Sequence, residues 1–293
     1  MRIIFIGSLK FSENLLLSLI SSSENIVGVI SLKSSQFNSD FADISSIAKK
    51  YNIDSISIDD INSQETISWI TNKSPDIIFC FGWSRLIKKE ILDIPKMGIL
   101  GYHPSLLPSN RGRHPIIWSL VLGLKETGST FFLMDENADT GDIVSQKRIP
   151  INDEDYAIDL YNRLQNSAQN QIKELIPNLK DRTFLKVKQS FTKSNSWRKR
   201  SLKDGVIDWR MSSTSIYNLI RALSKPYCGA SFKYKDQNIK VWEAKIHNQF
   251  SFNDEPGKVI AINSQNIVVK TADGAIKLTK IEPIIKPKME SYL

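Results

Sequence analysis

The sequence predicts an α/β protein, with a doubly wound, mostly parallel sheet first and a small β-barrel after it. Three observations point there. Short β-rich runs alternate with helix-period runs over the first half of the chain, the pattern of strand–helix–strand units. Residues 76–81, Asp-Ile-Ile-Phe-Cys-Phe, are apolar almost without a break, which suits a strand buried on both faces. Past about residue 205 the pattern changes to one helix and some five short strands separated by turn residues.

In chain order, residues 2–6 form a short strand that stops at Gly7-Ser8, and a helix is expected over 12–21. Gly7 stands without the glycine-rich fingerprint of a dinucleotide site and reads as a strand-to-helix turn. A strand at 26–32, a helix at 45–51, a strand at 55–58 and a helix at 64–72 lead to the strand at 76–81. Residues 98–112 read as an irregular loop, because Gly98, Gly101, Pro104, Pro108, Asn110 and Gly112 all fall within them. A helix follows over 115–123, with Pro115 in its first turn, then a strand over 129–134. A second irregular segment, 135–142, precedes a strand at 143–151, and Asn152 or Asp153 is placed to cap a helix running to about residue 175. Residues 186–203 are polar and basic, as in a linker. Beyond them come a helix over 212–223, strands at 230–234, 239–244, 257–262, 267–271 and 275–281, and hairpin turns at 235–238 and 272–274. The expected organisation is a Rossmann-like domain over 1–185, a basic linker over 186–204 and an OB-like domain over 205–293.

Composition narrows the function. The chain has 293 residues, 41% of them hydrophobic and 24% charged, enough for two ordinary cores. Lys and Arg outnumber Asp and Glu by 39 to 31, a formal charge of +8 that favours anionic partners without choosing among them. Two cysteines, Cys80 and Cys228, lie far apart in no metal-ligand spacing, which argues against a disulfide framework or a zinc site and suits a reducing cytoplasm. No apolar run approaches the roughly 18 residues that span a bilayer, and the start lacks the parts of a signal peptide, so a cytoplasmic protein with no membrane partner is expected.

Candidate chemistry gathers in the two irregular segments. Of the three histidines, His103 and His114 share the first, beside Asn110, Arg111 and Arg113. Loops at the carboxyl ends of parallel strands are where doubly wound folds build sites, and imidazole moves protons near neutral pH. The second segment supplies carboxylates, of which Asp135 and Glu136 read as solvated turn residues, leaving Asp139 and Asp142 as partners that could fix a histidine tautomer.

The ordered stretch Gly101-Tyr102-His103-Pro104-Ser105-Leu106-Leu107-Pro108, then Arg111-Gly112-Arg113, Pro115, Trp118, Lys125-Glu126-Thr127-Gly128 and Asp139-Thr140-Gly141-Asp142, resembles the formyltransferases that use 10-formyltetrahydrofolate. The resemblance continues through Asp204-Gly205-Val206-Ile207-Asp208-Trp209 and Asn218-Leu219-Ile220-Arg221-Ala222, and so covers nearly the whole chain. It implies acyl transfer to an amine, with His103 and Asp139 as the catalytic histidine and aspartate. His103 would take the amine's proton or, once protonated, steady the oxyanion, with Asp139 orienting it. The family's asparagine, which helps hold the formyl oxygen, is replaced here by Gly101. Asn110, Tyr102, a backbone N–H opened by Gly101 or an ordered water then become the candidates for that duty. For the formyl donor, the resemblance points to the loop carrying Trp83, Leu86 and Ile87, to Leu106 and Leu107 as an apolar wall, and to the loop around Asp139 and Asp142.

Three acceptor readings follow from the resemblance. In the favoured one the amine belongs to a nucleotide-linked sugar, with Lys10, Arg111 and Arg113 meeting the diphosphate. Its motivation is the short segment 31–46, together with Arg113-His114-Pro115-Ile116-Ile117-Trp118, which departs from the pattern of the tRNA enzyme. In the second the acceptor is initiator methionyl-tRNA, held by Trp197 and Arg198-Lys199-Arg200. In the third the chain is a binding relative for folate or a sugar nucleotide, weak or inactive because of Gly101. The sugar, its nucleotide and the oligomeric state, including a homodimer, are left open.

Overall fold

The computed structural model of the chain describes residues 1–34, 40–263 and 266–293, so part of the segment 31–46 lies outside the described residues. The first half runs β1 (Ile3–Ile6), α1 (Lys10–Ser21), β2 (Ile26–Leu32), α2 (Ser45–Lys50), β3 (Ser55–Ile58), α3 (Gln64–Lys73), β4 (Ile77–Cys80) and α4 (Lys89–Leu92). Then come β5 (Ile99–His103), β6 (Arg111–Gly112), α5 (Pro115–Val121), β7 (Glu126–Leu133), β8 (Ile143–Pro150) and α6 (Ala157–Lys180). The remainder is β9 (Ser196–Trp197), α7 (Ser213–Leu223), β10 (Ala230–Tyr234), β11 (Gln237–His247), β12 (Val259–Asn263), β13 (Asn266–Lys270) and β14 (Ala275–Glu282).

The chain divides into two compact units, one of Met1–Pro115, Thr127–Ile149 and Asn162–Trp197, the other of Ile116–Glu126, Pro150–Tyr161 and Arg198–Leu293. The first holds a seven-stranded sheet in the order β3-β2-β1-β4-β5-β7-β8. Its first five strands are parallel, and β5 meets β7 antiparallel. Period-two alternation sorts the two faces of the sheet. Phe5, Phe79 and Phe81 build an aromatic face with Phe131 and Tyr102, their rings edge-on or stacked at 5.0–5.7 Å. Ile4, Ile6, Ile78, Cys80 and Ile99 build an aliphatic face on the other side. Both faces are buried, which is why the 76–81 run carries almost no polar residue.

The second unit holds a five-stranded antiparallel sheet in the order β10-β11-β14-β13-β12, where the sequence predicts a small barrel. Helix α7 starts at an N-cap, Ser212, whose side chain accepts from Ser215 N at 3.0 Å. It buries Ile216, Leu219, Ile220 and Leu223, one stripe at helical spacing. Arg221, also buried, donates from Nη1 to the carbonyls of Asn152 (3.2 Å) and Asp155 (3.0 Å) and from Nε to Asn218 Oδ1 (2.9 Å).

Four expectations need correction. Residues 98–112 are not a loop throughout: Ile99–His103 is the interior strand β5. Its glycine mimics a breaker but serves packing, since a Cβ on Gly101 would lie 2.8 Å from Met134 Cγ and 3.0 Å from Phe132 Cζ. Helix α6 starts at Ala157, not behind a cap at Asn152 or Asp153, because Asp155 accepts from Asn152 N (2.7 Å) and closes a turn of its own. The hairpin after β10 needs only Lys235 and Asp236, the former at φ +53, with Gln237 and Asn238 already paired in β11. Residues 186–204 are not a free tether: β9 pairs with β6, and Val187 bridges Ile143.

Candidate active site

His103 is the last residue of β5, at the carboxyl end of the strand beside β4. The strand order reverses between β1 and β4, and the crevice outside the carboxyl ends of such strands is where open α/β sheets place ligands. The imidazole is 5% exposed and held at both nitrogens. Nε2 lies 2.8 Å from the carbonyl of Asn110; a carbonyl only accepts, so Nε2 carries a proton there. Nδ1 faces Asp139 Oδ2 at 3.5 Å, and that oxygen also accepts from Gly112 N at 2.9 Å. The ring nitrogen turned to Asp139 is therefore the one not committed to a carbonyl.

The loops that make this pairing take unusual backbone conformations. Asn110 and Asp139 sit at φ +65 and +59, a region that short polar side chains tolerate better than most. Gly112, at φ +97, admits no other residue, since a Cβ there would come within 2.3 Å of the Trp197 carbonyl. At Gly141 a Cβ would sit 1.6 Å from the carbonyl of Leu133, whose own N–H donates to the Asp142 carbonyl at 2.8 Å. Glycine at these positions lets the loop bearing Asp139 lie flat against the strands.

The structure brings some of the expected residues to the pair and not others. Asn110 is beside it, through its carbonyl. Arg111 is buried and points both Nε (3.2 Å) and Nη2 (2.7 Å) at Gln189 Oε1, so its fork is engaged inside the protein. Arg113 is exposed and donates from Nη1 to the Ser84 carbonyl at 2.7 Å, which ties it to the loop after β4. In that loop Trp83 is half-buried with an indole N–H that meets no partner, Leu86 is 62% exposed and Ile87 is buried. Asn62 fastens the loop, donating to the Leu86 carbonyl (3.0 Å) and accepting from Lys88 N (2.8 Å). Leu107 is buried and Leu106 and Asp142 are half-buried. Lys10 opens α1 with an exposed ammonium paired to Glu13 at 2.7 Å.

Tyr102 is not with His103. It faces the opposite side of β5, stacked on Phe11 at 4.6 Å, and accepts a hydrogen bond from Ser129 Oγ at 3.0 Å. Burial pushes its phenol above the ordinary value. The Gly101 peptide is likewise inside the sheet, paired with Cys80 on one side and Phe132 on the other. Two residues that no motif singled out, Gln189 and Asn195, do reach the site. They lie in the polar stretch whose composition reads as linker, and nothing in one sequence marks them out.

Comparison with known proteins places the chain in a family and a fold. The family model described as formyl transferase matches residues 1–176, and that of the formyl transferase C-terminal domain matches residues 200–292. A bifunctional polymyxin resistance protein ArnA from Wigglesworthia glossinidia brevipalpis is 36% identical over 203 residues, covering 69% of this chain but 31% of that protein. The chain thus spans about a third of the length of this curated relative. Two solved structures have the same fold over nearly their whole length. WlaRD, a sugar 3N-formyl transferase crystallised in the presence of dTDP and 5-N-formyl-THF, is 20% identical with a TM-score of 0.73, over 97% of this chain and 99% of that one. An N-formyltransferase from Helicobacter canadensis, in complex with folinic acid and dTDP-3-aminofucose, is also 20% identical with a TM-score of 0.71, over 95% and 99%.

Proposed function

This chain belongs to the formyl transferase family, and we propose that it moves a formyl group from 10-formyltetrahydrofolate to the primary amine of a nucleotide-linked amino sugar. The observation that carries the reading is the His103 Nδ1–Asp139 Oδ2 pair, 3.5 Å apart at the carboxyl end of β5. The donor supplies an activated formyl carbon. An amine that attacks it must give up a proton, and the His103–Asp139 pair is the acceptor for that proton and its store until the leaving nitrogen needs one. Because Nε2 is committed to the Asn110 carbonyl, proton transfer runs through the Nδ1–Asp139 side. Tyr102 and the Gly101 peptide are turned away or used in the sheet, and the Asn110 backbone is engaged at both N–H and carbonyl, so the Asn110 side-chain amide is the donor we assign to the developing oxyanion.

The loop after β4 fits a folate-type donor. In our assignment the exposed Leu86 offers the donor apolar contact, and the Trp83 N–H, buried without a partner, is a hydrogen-bond donor still to be satisfied. Ile87, Leu106, Leu107 and Asp142 complete the donor site in our assignment. Arg113 and Lys10, both with exposed cationic heads, are the groups we assign to the diphosphate, while Arg111 acts from behind the site. The sugar reading draws support from the engagement of the basic stretch that a tRNA would need. Arg198 is ion-paired with Asp204, and both Arg198 and Arg200 stack on Trp118, at 5.4 and 4.6 Å from its ring centre.

Purified protein incubated with 10-formyltetrahydrofolate and separate panels of nucleotide-linked amino sugars and charged initiator tRNA tests the proposal. Formylation of a sugar amine is expected. Formylation of tRNA alone would replace the acceptor, and turnover with neither would favour a binding relative.

A further inference from the structure

The stretch between α6 and the second unit is rich in Lys and Ser, yet two of its side chains are wired into the His103–Asp139 site. Gln189 is buried and uses every hydrogen-bonding position its amide has. Oε1 accepts from Arg111 Nε (3.2 Å) and Nη2 (2.7 Å), and Nε2 donates to the carbonyls of Asp139 (3.0 Å) and Gly141 (2.7 Å). It therefore clamps the loop that carries Asp139 to the strand β6 that carries Arg111. Asn195 does the same for the other partner. Its Oδ1 accepts from Asn110 N at 2.7 Å and its carbonyl from Arg111 N at 3.1 Å, next to the β6–β9 pairing. The carbonyl of that same Asn110 holds His103 Nε2.

We propose that Gln189 and Asn195 are positioning residues: Gln189 sets where Asp139 stands, and Asn195, through Asn110, sets how the His103 ring is turned. The inference rests on the formyl-transfer reading of the pair. Both partners of the ring sit on left-handed backbone, at φ +59 and +65, which the local chain does not favour by itself. The clamp supplies what holds them there. A ring and a carboxylate 3.5 Å apart lose alignment with a shift of about 1 Å, and such misplacement costs on the order of 100-fold in rate.

Four variants test this: Gln189→Met, Gln189→Glu, Asn195→Ala and Asn195→Asp. Gln189→Met should lower kcat by about 10- to 100-fold, with KM for both substrates changed by less than about 3-fold. Gln189→Glu keeps the acceptor for Arg111 but loses both N–H donors, so it should not rescue. Asn195→Asp keeps the acceptor for Asn110 N–H and should stay near wild type, whereas Asn195→Ala should fall with Gln189→Met. In the Asp139→Asn background Gln189→Met should cost little more, because its effect passes through Asp139. Spectra of protein labelled with 15N-histidine read the ring without turnover. The His103 Nε2–H signal, assigned by its loss in His103→Gln, should exchange slowly in wild type and Asn195→Asp and rapidly in Asn195→Ala.

If wild type turns over no acceptor, the formyl-transfer reading fails while the spectra still decide the positioning claim. Variants that melt as wild type does, keep kcat within about 3-fold and leave the His103 signal unmoved would overturn the proposal. Should Gln189→Met fail to fold, the contrast between Asn195→Ala and Asn195→Asp decides, since that contact is exposed.

Discussion

Replacing Gly101 by Asn puts the residue that the resemblance expects there into a tightly packed strand. A Cβ at this position would stand 2.8 Å from Met134 Cγ and 3.0 and 3.1 Å from Phe132 Cζ and Cε1. Met134 is flexible and half-buried, but Phe132 is 3% exposed in a packed sheet and has little room to move. Overpacking of this kind costs about 1–3 kcal/mol. Removing a glycine from a strand returns roughly 0.5–1 kcal/mol of chain entropy. The net destabilisation is then about 0–2.5 kcal/mol, a fall in Tm of up to roughly 10 °C for units of this size. Thermal melts followed by circular dichroism measure it, and adding Met134→Ala should recover only part of the loss, because the contact with Phe132 remains. In formyl transfer Gly101→Asn should give no gain in kcat, because the new amide is displaced by the groups already there. A variant that melts no lower than wild type and turns over about 100-fold faster would refute this reasoning and show a vacant oxyanion position at Gly101.

Gly141→Ala should disrupt the Asp139 loop outright, since its Cβ would overlap the Leu133 carbonyl at 1.6 Å; limited proteolysis should find new cleavage near residue 141. Arg221→Met leaves the carbonyls of Asn152 and Asp155 without their buried donor and should destabilise by about 2–4 kcal/mol in urea unfolding. Asp204 accepts from Arg198 and from Ser201 N, which holds its carboxyl well below the usual range. A carboxyl depressed in the folded state stabilises above its unfolded value, about 3.9, and that contribution is lost as pH falls. The Tm advantage of wild type over Asp204→Asn should therefore be present near neutrality and shrink on acidification below about pH 4; an advantage that stays constant would discard the pairing as its source.

Much of the first unit is legible in the sequence because its sheet is buried on both faces and the apolar runs have nowhere else to go. Strands at 26–32 and 55–58 have the same bounds in the structure, and β4 falls inside the run at 76–81. The interior strand β5 is hidden by Gly98, which turns the chain at φ +83 just before it, and by Gly101, a residue that breaks strands in isolation and here makes room for Phe132 and Met134. His103 and Asp139 stand out because they fall in long ordered motifs. Gln189 and Asn195 do not, since a side chain that acts on backbone atoms 50 to 85 residues away leaves no local pattern. The reach of Arg111 is of the same kind: its sequence setting reads as a phosphate fork, and only the fold shows the fork filled by Gln189.

The central claim is that the His103–Asp139 pair carries the proton in formyl transfer. Single-turnover formylation of the nucleotide-linked amino sugar that wild type accepts, by Asp139→Asn and by wild type at matched folding, measures this step. Asp139→Asn should react about 100- to 10,000-fold more slowly with an unchanged melt. A rate within about 3-fold of wild type would contradict it.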